Sequence, residues 1–323
     1  MSSSRFILTR ALPQGATAAA LASDVADGFA AVPKALPPRW FYDARGSELF
    51  EEITTLPEYY PTRTEHRILT RHAGDIARLT GARTLVELGS GSSLKTRLLL
   101  DALPGGLLYV PVDVSESALE AAGHALLAER PGLRVHAVVA DFRTRLRLPA
   151  CPGPRLVAFL GGTIGNLLPP ERAAFLAALR GLLDPDDALL LGTDLVKDPR
   201  VLVAAYDDAR GVTARFNKNL LRVLARELGA DCDPDDFDHV ALWDAEHEWI
   251  EMRLRARSAL SVKVPALNAG FDFRPGEELR TEISAKFRPE GVRDELTAGG
   301  WRQAGWWTDP EGRFALSLAF PRA

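Results

Sequence analysis

Apolar residues in the middle of the chain fall into short runs separated by helical stretches. Thr84-Leu85-Val86, Leu107-Leu108-Tyr109-Val110-Pro111-Val112-Asp113, Val138-Val139-Ala140-Asp141-Phe142, Leu156-Val157-Ala158-Phe159-Leu160 and Ala188-Leu189-Leu190-Leu191-Gly192-Thr193-Asp194 are five such runs. Apolar runs of this length suit strands buried on both faces. From about residue 62 to 196 they alternate with helices, which predicts a parallel sheet. The pattern then changes. A polar helical segment covers about Asp198 to Leu228, and an Asp-rich loop follows (Asp231, Asp233, Asp235, Asp236, Asp238). Beyond it Ile250, Met252, Leu254 and Ala256 alternate with Glu251, Arg253, Arg255 and Arg257. Period 2 marks an antiparallel, half-exposed sheet, as in a second domain inserted before the last part of the first. The tail returns to α/β, with a helix near Pro289 to Ala298 and a hairpin of Trp301 to Trp307 with Arg313 to Phe320. Near the N-terminus the pattern predicts an amphipathic helix over about Thr17 to Ala30. Thr62 and Glu65 predict a capping box where a further helix begins.

The first apolar run leads into Val86-Glu87-Leu88-Gly89-Ser90-Gly91-Ser92-Ser93-Leu94-Lys95-Thr96. This reads as a buried strand, a tight turn and a helix start, where glycines admit a ligand close to free backbone N–H groups. Three ligands compete for it. A dinucleotide site wants G-x-G-x-x-G, and Leu94 stands at the third glycine. A phosphate loop wants G-x-x-x-x-G-K-[ST], and Gly89 to Thr96 fits except again at Leu94, whose Cβ opposes the close wrap around phosphates. The third ligand is S-adenosylmethionine (SAM), whose methyltransferases carry an acid-x-Gly-x-Gly pattern that Glu87-Leu88-Gly89-Ser90-Gly91 resembles. Asp113 ends the second strand 26 residues after Glu87 and suits a ribose diol. Asp141 and Phe142 end the third, where such enzymes hold the adenine. Agreement at three strand ends favours SAM over an unrelated turn with solvated acids.

Composition narrows the partners. The chain has 323 residues, 46% hydrophobic and 25% charged, enough for one large or two medium domains. A net charge of −4 with no basic block argues against nucleic acid or an anionic membrane. Cys151 and Cys232 form neither metal spacing nor a disulfide framework and suit the cytosol. No apolar run approaches the roughly 18 residues of a membrane span. Arg5, Arg10 and the Ala-rich patch could pass for a targeting peptide, but the apolar stretch is short and Asp24 and Asp27 follow, so a helix is the better reading. No metal is implied. Counting from Asp231, a calcium loop would need Gly at Asp236 and Glu at Leu242. His247-Glu248-Trp249-Ile250-Glu251 lacks the second His of a zinc helix.

Longer motifs carry a family resemblance. Phe41-Tyr42-Asp43-Ala44-Arg45-Gly46-Ser47, Leu56-Pro57-Glu58-Tyr59-Tyr60-Pro61-Thr62-Arg63-Thr64-Glu65, Glu87 to Ser92, Gly165-Asn166-Leu167 and Thr281-Glu282-Ile283-Ser284 together resemble the histidine Nα-methyltransferases of ergothioneine biosynthesis. The resemblance runs from about residue 30 to the C-terminus. It implies transfer of three methyl groups from SAM to the α-amino nitrogen of L-histidine, through mono- and dimethyl intermediates, giving hercynine and S-adenosylhomocysteine. It implies an α/β fold, a Rossmann-like SAM-dependent methyltransferase sheet (62–196 plus 286–321) with an additional α+β substrate-binding domain (15–61 plus 197–285). A cytoplasmic monomer is expected.

The resemblance also assigns residues. Tyr59 and Asn166 would hold the α-amino group and carboxylate, Tyr206 the carboxylate, and Glu282 with Ser284 the imidazole. Tyr42 and Phe50 would line the pockets, and Thr213 would reach the imidazole side through water. Met252 could pack on the substrate ring, although a Met on an apolar strand face is more often core. The cofactor would fall to Glu87, Gly89, Ser90, Gly91, Lys95, Asp113, Asp141 and Phe142. The bare residues are compatible with this. Glu282 and Ser284, two apart on a strand, share one face. A neutral imidazole offers one donor and one acceptor, which a carboxylate and a hydroxyl satisfy. No dedicated strong base is expected, the amine proton leaving to water or before binding. The rival readings are an N-methyltransferase of another amino acid or amine, a phosphate-loop protein using Lys95, Thr96 and Asp194, and a non-catalytic SAM-binding scaffold.

Overall fold

The computed structural model describes residues 5–11, 15–91, 93, 95–143 and 146–322. Ser92 and Leu94, on which part of the loop reading rests, lie outside the described residues. In chain order the elements begin with β1 (Phe6–Arg10), α1 (Ala16–Ala30), β2 (Lys34–Ala35), α2 (Ala44–Thr54), α3 (Pro61–Thr80) and β3 (Thr84–Leu88). Next come α4 (Thr96–Ala102), β4 (Leu108–Asp113), α5 (Glu116–Glu129), β5 (Arg134–Val139), β6 (Arg155–Phe159) and α6 (Pro169–Arg180). Then follow β7 (Ala188–Asp194), α7 (Pro199–Ala204), α8 (Val212–Leu228), β8 (Phe237–Asp244), β9 (Trp249–Ala256) and β10 (Leu260–Val264). The chain closes with β11 (Ala269–Phe273), β12 (Glu278–Ala285), α9 (Pro289–Ala298), β13 (Trp301–Thr308) and β14 (Phe314–Pro321). Two compact units result, one of Met1–Pro13, Pro61–Leu195 and Phe287–Ala323, the other of Gln14–Tyr60 and Val196–Lys286.

The first unit holds an eight-stranded sheet in the order β1-β5-β4-β3-β6-β7-β14-β13. Neighbours are parallel from β1 to β7, and the β13–β14 hairpin joins β7 antiparallel. Strand order reverses at β3, with β4 on one side and β6 on the other. Ligands of open α/β sheets bind at the C-terminal strand ends beside such a reversal. All of β3 and β7 is buried, as their continuous apolar runs predict. Strand β1 was not legible. It is a five-residue edge strand, part-buried at alternate positions, held by its pairing with β5, the stacking of Phe6 on His124 and the Arg10–Glu116 ion pair.

The second unit holds a sheet in the order β2-β12-β9-β8, antiparallel except where β2 meets β12, and a separate β10–β11 pair. Val25, Phe29, Phe41, Leu49, Phe216 and Leu224 form its core with Met252 and Leu254. Ile250, Met252, Leu254 and Ala256 are buried as the alternation predicts. On the other face Arg255 is exposed, but Glu251 is buried, accepting from Trp249 Nε1 at 2.9 Å and Arg253 Nε at 2.7 Å. The single helix expected over Asp198 to Leu228 is two helices. Asp208 breaks it by accepting the N–H groups of Val212 (2.9 Å) and Thr213 (2.7 Å) where α8 starts, behind the left-handed Gly211.

The motif Phe41 to Ser47 folds as a cap. Asp43 accepts the Gly46 N–H at 2.7 Å to start α2, and also takes Asn219 Nδ2 (2.8 Å) and Arg226 (2.7 Å) from α8. The turn is so tight that a Cβ on Gly46 would lie 1.6 Å from the Phe41 carbonyl oxygen. Gly46→Ala should therefore lower the stability of this unit by about 1–3 kcal/mol or more, read as a fall in the urea midpoint; an unchanged midpoint would contradict the close approach.

Candidate active site

In the first unit three strand ends are laced together. Gly89 N–H donates to the Val112 carbonyl at 2.8 Å, and Ala140 N–H to the Asp113 carbonyl at 3.0 Å. Gly91 N–H donates to Asp113 Oδ2 at 3.2 Å, and Ser115 N–H to Oδ1 at 3.0 Å. Gly89 and Gly91 turn with φ of +71° and +48°, values that suit glycine. A Cβ on Gly89 would stand 3.5 Å from the Phe142 ring, which packs on Phe159 and Phe175. Gly89, Ser90, Gly91, Asp113, Asp141 and Phe142 are thus brought to one sheet edge. The Ser90 hydroxyl is buried with no hydrogen-bond partner among the described residues. Such an orphaned group invites a ligand. Asp141 is held by Arg143, its Oδ2 accepting from the guanidinium at 2.9 Å.

Glu87 lies beneath this edge. Its carboxylate is buried and accepts from Thr96 Oγ1 and Tyr109 Oη, both at 2.5 Å. Burial pushes the carboxyl up to about 7 against those two donors. Glu87 therefore supports the glycine turn from below through Thr96. Lys95 pairs with Glu65, which has no exposure and whose two oxygens accept the Gly161 N–H at 2.9 and 3.0 Å. The expected capping box is absent. Helix α3 already includes Pro61 and Thr62, and the Glu65 carboxylate is taken by the Gly161 amide and the Lys95 ammonium instead. Gly161 and Gly162, at φ +78° and +70°, turn the chain into the short helical turn Thr163–Asn166. Asn166 ends it half-buried, its carboxamide unengaged among the described residues.

In the second unit Phe50 lies between the Tyr42 and Tyr59 rings, with centroids 5.6 and 6.1 Å away, and Tyr59 meets Tyr206 edge-on at 6.3 Å. Tyr42 reaches the surface, whereas Tyr59 and Tyr206 are buried. Tyr60 is core, and Lys197 Nζ donates to its hydroxyl at 2.7 Å. Glu282 and Ser284 alternate on β12 opposite Met252 and Ile250. Ser284 Oγ lies 2.7 Å from Tyr206 Oη. Glu282 is buried, and nothing among the described residues hydrogen-bonds to its carboxylate. Desolvation pushes that carboxyl up to about 8, with Lys286 pulling the other way. Tyr59, Tyr206, Glu282 and Ser284 are brought together here. Thr213 is buried on α8, tied by its N–H to Asp208, and among the described residues its hydroxyl has no hydrogen-bond partner.

Three buried polar residues escaped the sequence reading. Lys286 donates to Tyr206 Oη at 2.9 Å and Ser284 Oγ at 2.8 Å. Asn217 Nδ2 donates to His239 Nδ1 at 2.9 Å, so His239 Nε2 carries the proton it donates to the Tyr206 carbonyl at 2.8 Å. Asn217 Oδ1 also accepts from Thr281 Oγ1 at 2.6 Å. A buried Asn on the apolar face of α8 was the one readable signal. Among the described residues no group of His, Cys, Asp and Glu could hold a metal ion, and no helix is long and apolar enough to cross a membrane.

Comparison with known proteins gives consistent results. Residues 21–321 match the family model described as a histidine-specific methyltransferase, SAM-dependent. The chain is 56% identical over 315 residues to the histidine N-alpha-methyltransferase of Mycolicibacterium smegmatis, covering 97% of this chain and 98% of that protein. It is 54% identical to the protein of that name from Mycobacterium tuberculosis, covering 93% and 94%. It is 30% identical to ergothioneine biosynthesis protein 1 of Neurospora crassa, covering 85% of this chain and 32% of that longer protein.

The buried Glu282 predicts a pH effect. A carboxyl whose pKa is higher folded than unfolded stabilises the fold below the unfolded value, and that stability is lost as pH climbs through the folded one. The window here runs from 4.5 to about 8. Glu282→Gln, which mimics the neutral acid, should raise the melting temperature of the ligand-free protein more at pH 8.5 than at pH 5. An equal change at both would show that Glu282 is not desolvated.

Proposed function

The chain belongs to the SAM-dependent, histidine-specific methyltransferases, and we propose that its first unit holds the methyl donor while its second reads the histidine side chain. The reaction is transfer of methyl groups from SAM to the α-amino nitrogen of L-histidine, and hercynine for ergothioneine synthesis is the product after three transfers. SAM supplies a methyl already activated on a sulfonium sulfur. The residues that would hold it are Gly89, Ser90, Gly91, Asp113, Asp141 and Phe142, with Lys95 at the rim and Glu87 beneath. Their fit rests on the orphaned Ser90 hydroxyl and on the turn at Gly89 and Gly91 beside the Asp113 carboxylate.

What remains for the protein is placement, and orientation of two reactants supplies up to roughly 7–11 kcal/mol. The amine must be neutral with its lone pair directed at the methyl. Asn166 offers an unengaged carboxamide to the amine, and Tyr59 offers its hydroxyl. Tyr206 takes the carboxylate. Glu282 accepts the imidazole N–H, Ser284 donates to the other ring nitrogen, and Tyr42 lines the approach. Thr213 takes part only through water. No side chain acts as a strong base, and the proton passes from the amine to water. Mono- and dimethylhistidine keep the carboxylate and imidazole contacts, while those to the amine fall away as its N–H groups are replaced by methyls. The observation that carries this reading is the buried Glu282 carboxylate, unsatisfied among the described residues, two positions from the Ser284 hydroxyl on one strand face. We place the enzyme in the cytosol, where the free thiols of Cys151 and Cys232 stay reduced. A monomer suffices, since no step needs a residue from a second copy.

Mass spectrometry of the protein incubated with SAM and L-histidine should show one, two and three added methyl groups on the α-nitrogen; SAM binding without product would overturn the assignment. Glu282→Ala should raise the histidine KM at least about tenfold with SAM affinity kept. Asn166→Ala should slow every methylation step, and intact turnover would remove Asn166 from the amine.

A further inference from the structure

Strand β12 does not run evenly past β9. Leu279 pairs with Leu254 and Arg280 with Arg253, but Glu282 pairs with Met252, so Thr281 is the extra residue of a β-bulge. The shift decides which side chains face inward. Continued without it, the pairing would set Thr281 against Met252, Glu282 against Glu251 and Ser284 against Trp249. Ile283 would then take the inward place beside Ile250, and Glu282 would join Glu251, Arg253 and Arg280 on the charged face. With the shift, Glu282 and Ser284 lie opposite the core residues Met252 and Ile250. The even ladder is a real competitor, because it turns an isoleucine to the core and leaves a carboxylate among arginines. Something must hold the bulge.

Asn217 of α8 stands at it. Asn217 and Thr281 are both 0% exposed. Asn217 Nδ2 donates to the Arg253 carbonyl at 3.0 Å, on one side of the shift. Thr281 Oγ1 lies 3.0 Å from the Met252 carbonyl oxygen, on the other side. Thr281 Oγ1 and Asn217 Oδ1 are 2.6 Å apart. The directions follow from one group. The Arg253 carbonyl can only accept, so the amide nitrogen faces it and Oδ1 faces Thr281. That oxygen can only accept, so the Thr281 hydroxyl donates to it, and the Met252 carbonyl shares the proton at the longer distance. The amide nitrogen also donates to His239 Nδ1 at 2.9 Å, which ties β8 to the same point.

We propose that Thr281 and Asn217 are positioning residues: their buried hydrogen bond holds the bulge in β12, and the bulge turns Glu282 and Ser284 inward. Its consequence for the reaction rests on the reading that those two residues face the imidazole. Without the Thr281 hydroxyl, Asn217 Oδ1 is buried and unmatched in the bulged strand, and β12 slips to the even ladder.

Carbon-13 NMR titration of the Glu282 carboxyl, assigned by its absence in Glu282→Gln, reads the face directly. It should titrate at about 8 in the wild type and lower in Thr281→Val, where Arg253 and Arg280 would favour the charged form. Thr281→Ser, which keeps the hydroxyl, should behave as the wild type. In steady-state kinetics Thr281→Val should raise the histidine KM about tenfold, with kcat and SAM affinity little changed. Adding Glu282→Ala to it should raise the KM by no more than about twofold further, since the carboxylate has already turned away. Asn217→Ala breaks the same bond and carries the same expectations should Thr281→Val not fold. A Glu282 titration unmoved in Thr281→Val, or moved equally in Thr281→Ser, would overturn the proposal. So would full multiplication of the two KM effects, or an unchanged KM in Thr281→Val where Glu282→Ala alone raises it. A titration that moves in Thr281→Val while Glu282→Ala alone leaves the histidine KM unchanged keeps the clamp and removes the imidazole reading.

Discussion

An ionised group taken out of water costs several kcal/mol unless partners meet it where it stands, and that constraint organises both units of this chain. Glu65 meets it with Lys95 and the Gly161 amide, Glu87 with the hydroxyls of Thr96 and Tyr109, and Asp43 with Gly46, Asn219 and Arg226. Each compensated carboxylate pins a turn: the loop after β6, the glycine turn after β3 and the start of α2. Glu282 is the exception. It is buried too, yet among the described residues no hydrogen bond meets its carboxylate, and a nearby cation is its compensation. The proposed reading of histidine uses this imbalance, because a site that satisfied itself would have nothing to offer a ligand.

Local signals were legible because they are written in consecutive residues. The five buried strands, the glycine turn, the acids at their ends and the final hairpin all follow from apolar runs and turn chemistry, and the shared face of Glu282 and Ser284 follows from a two-residue spacing. Signals that depend on distant partners were not legible. Glu65 fits a capping box by spacing, but its carboxylate is claimed by Gly161, 96 residues away. Lys286 looks like an ordinary charged residue until Tyr206, 80 positions earlier, is set against it. The break between α7 and α8 comes from Asp208, whose capping role is hidden in a run of polar residues that suits a continuous helix equally well. Tyr59 and Tyr60 are indistinguishable in sequence. The structure separates them by partner, Lys197 for the core Tyr60 and the Tyr206 ring for Tyr59.

The proposed division of labour between the units matches the difference in their sheets. A parallel sheet collects its C-terminal strand ends along one edge, which suits backbone recognition of a common donor through glycines and strand-end acids. An antiparallel sheet alternates its side chains cleanly, which suits a short row of polar groups such as Glu282, Ser284 and Lys286 set among apolar neighbours.

Strand β2 pairs with β12 at Lys34–Leu279 and Ala35–Arg280, partners 245 residues apart in the chain (279 − 34 and 280 − 35). During synthesis the early segment of the second unit therefore leaves the ribosome long before its partner exists. At about 5–20 residues per second the wait is roughly 12–50 s, far longer than hydrophobic collapse requires. In that interval Val25, Phe29, Phe41 and Leu49, all core residues in the finished unit, have no partners from the later segment to bury them. The sheet proposed to read the substrate thus closes only once β12 has been made, long after its first strand.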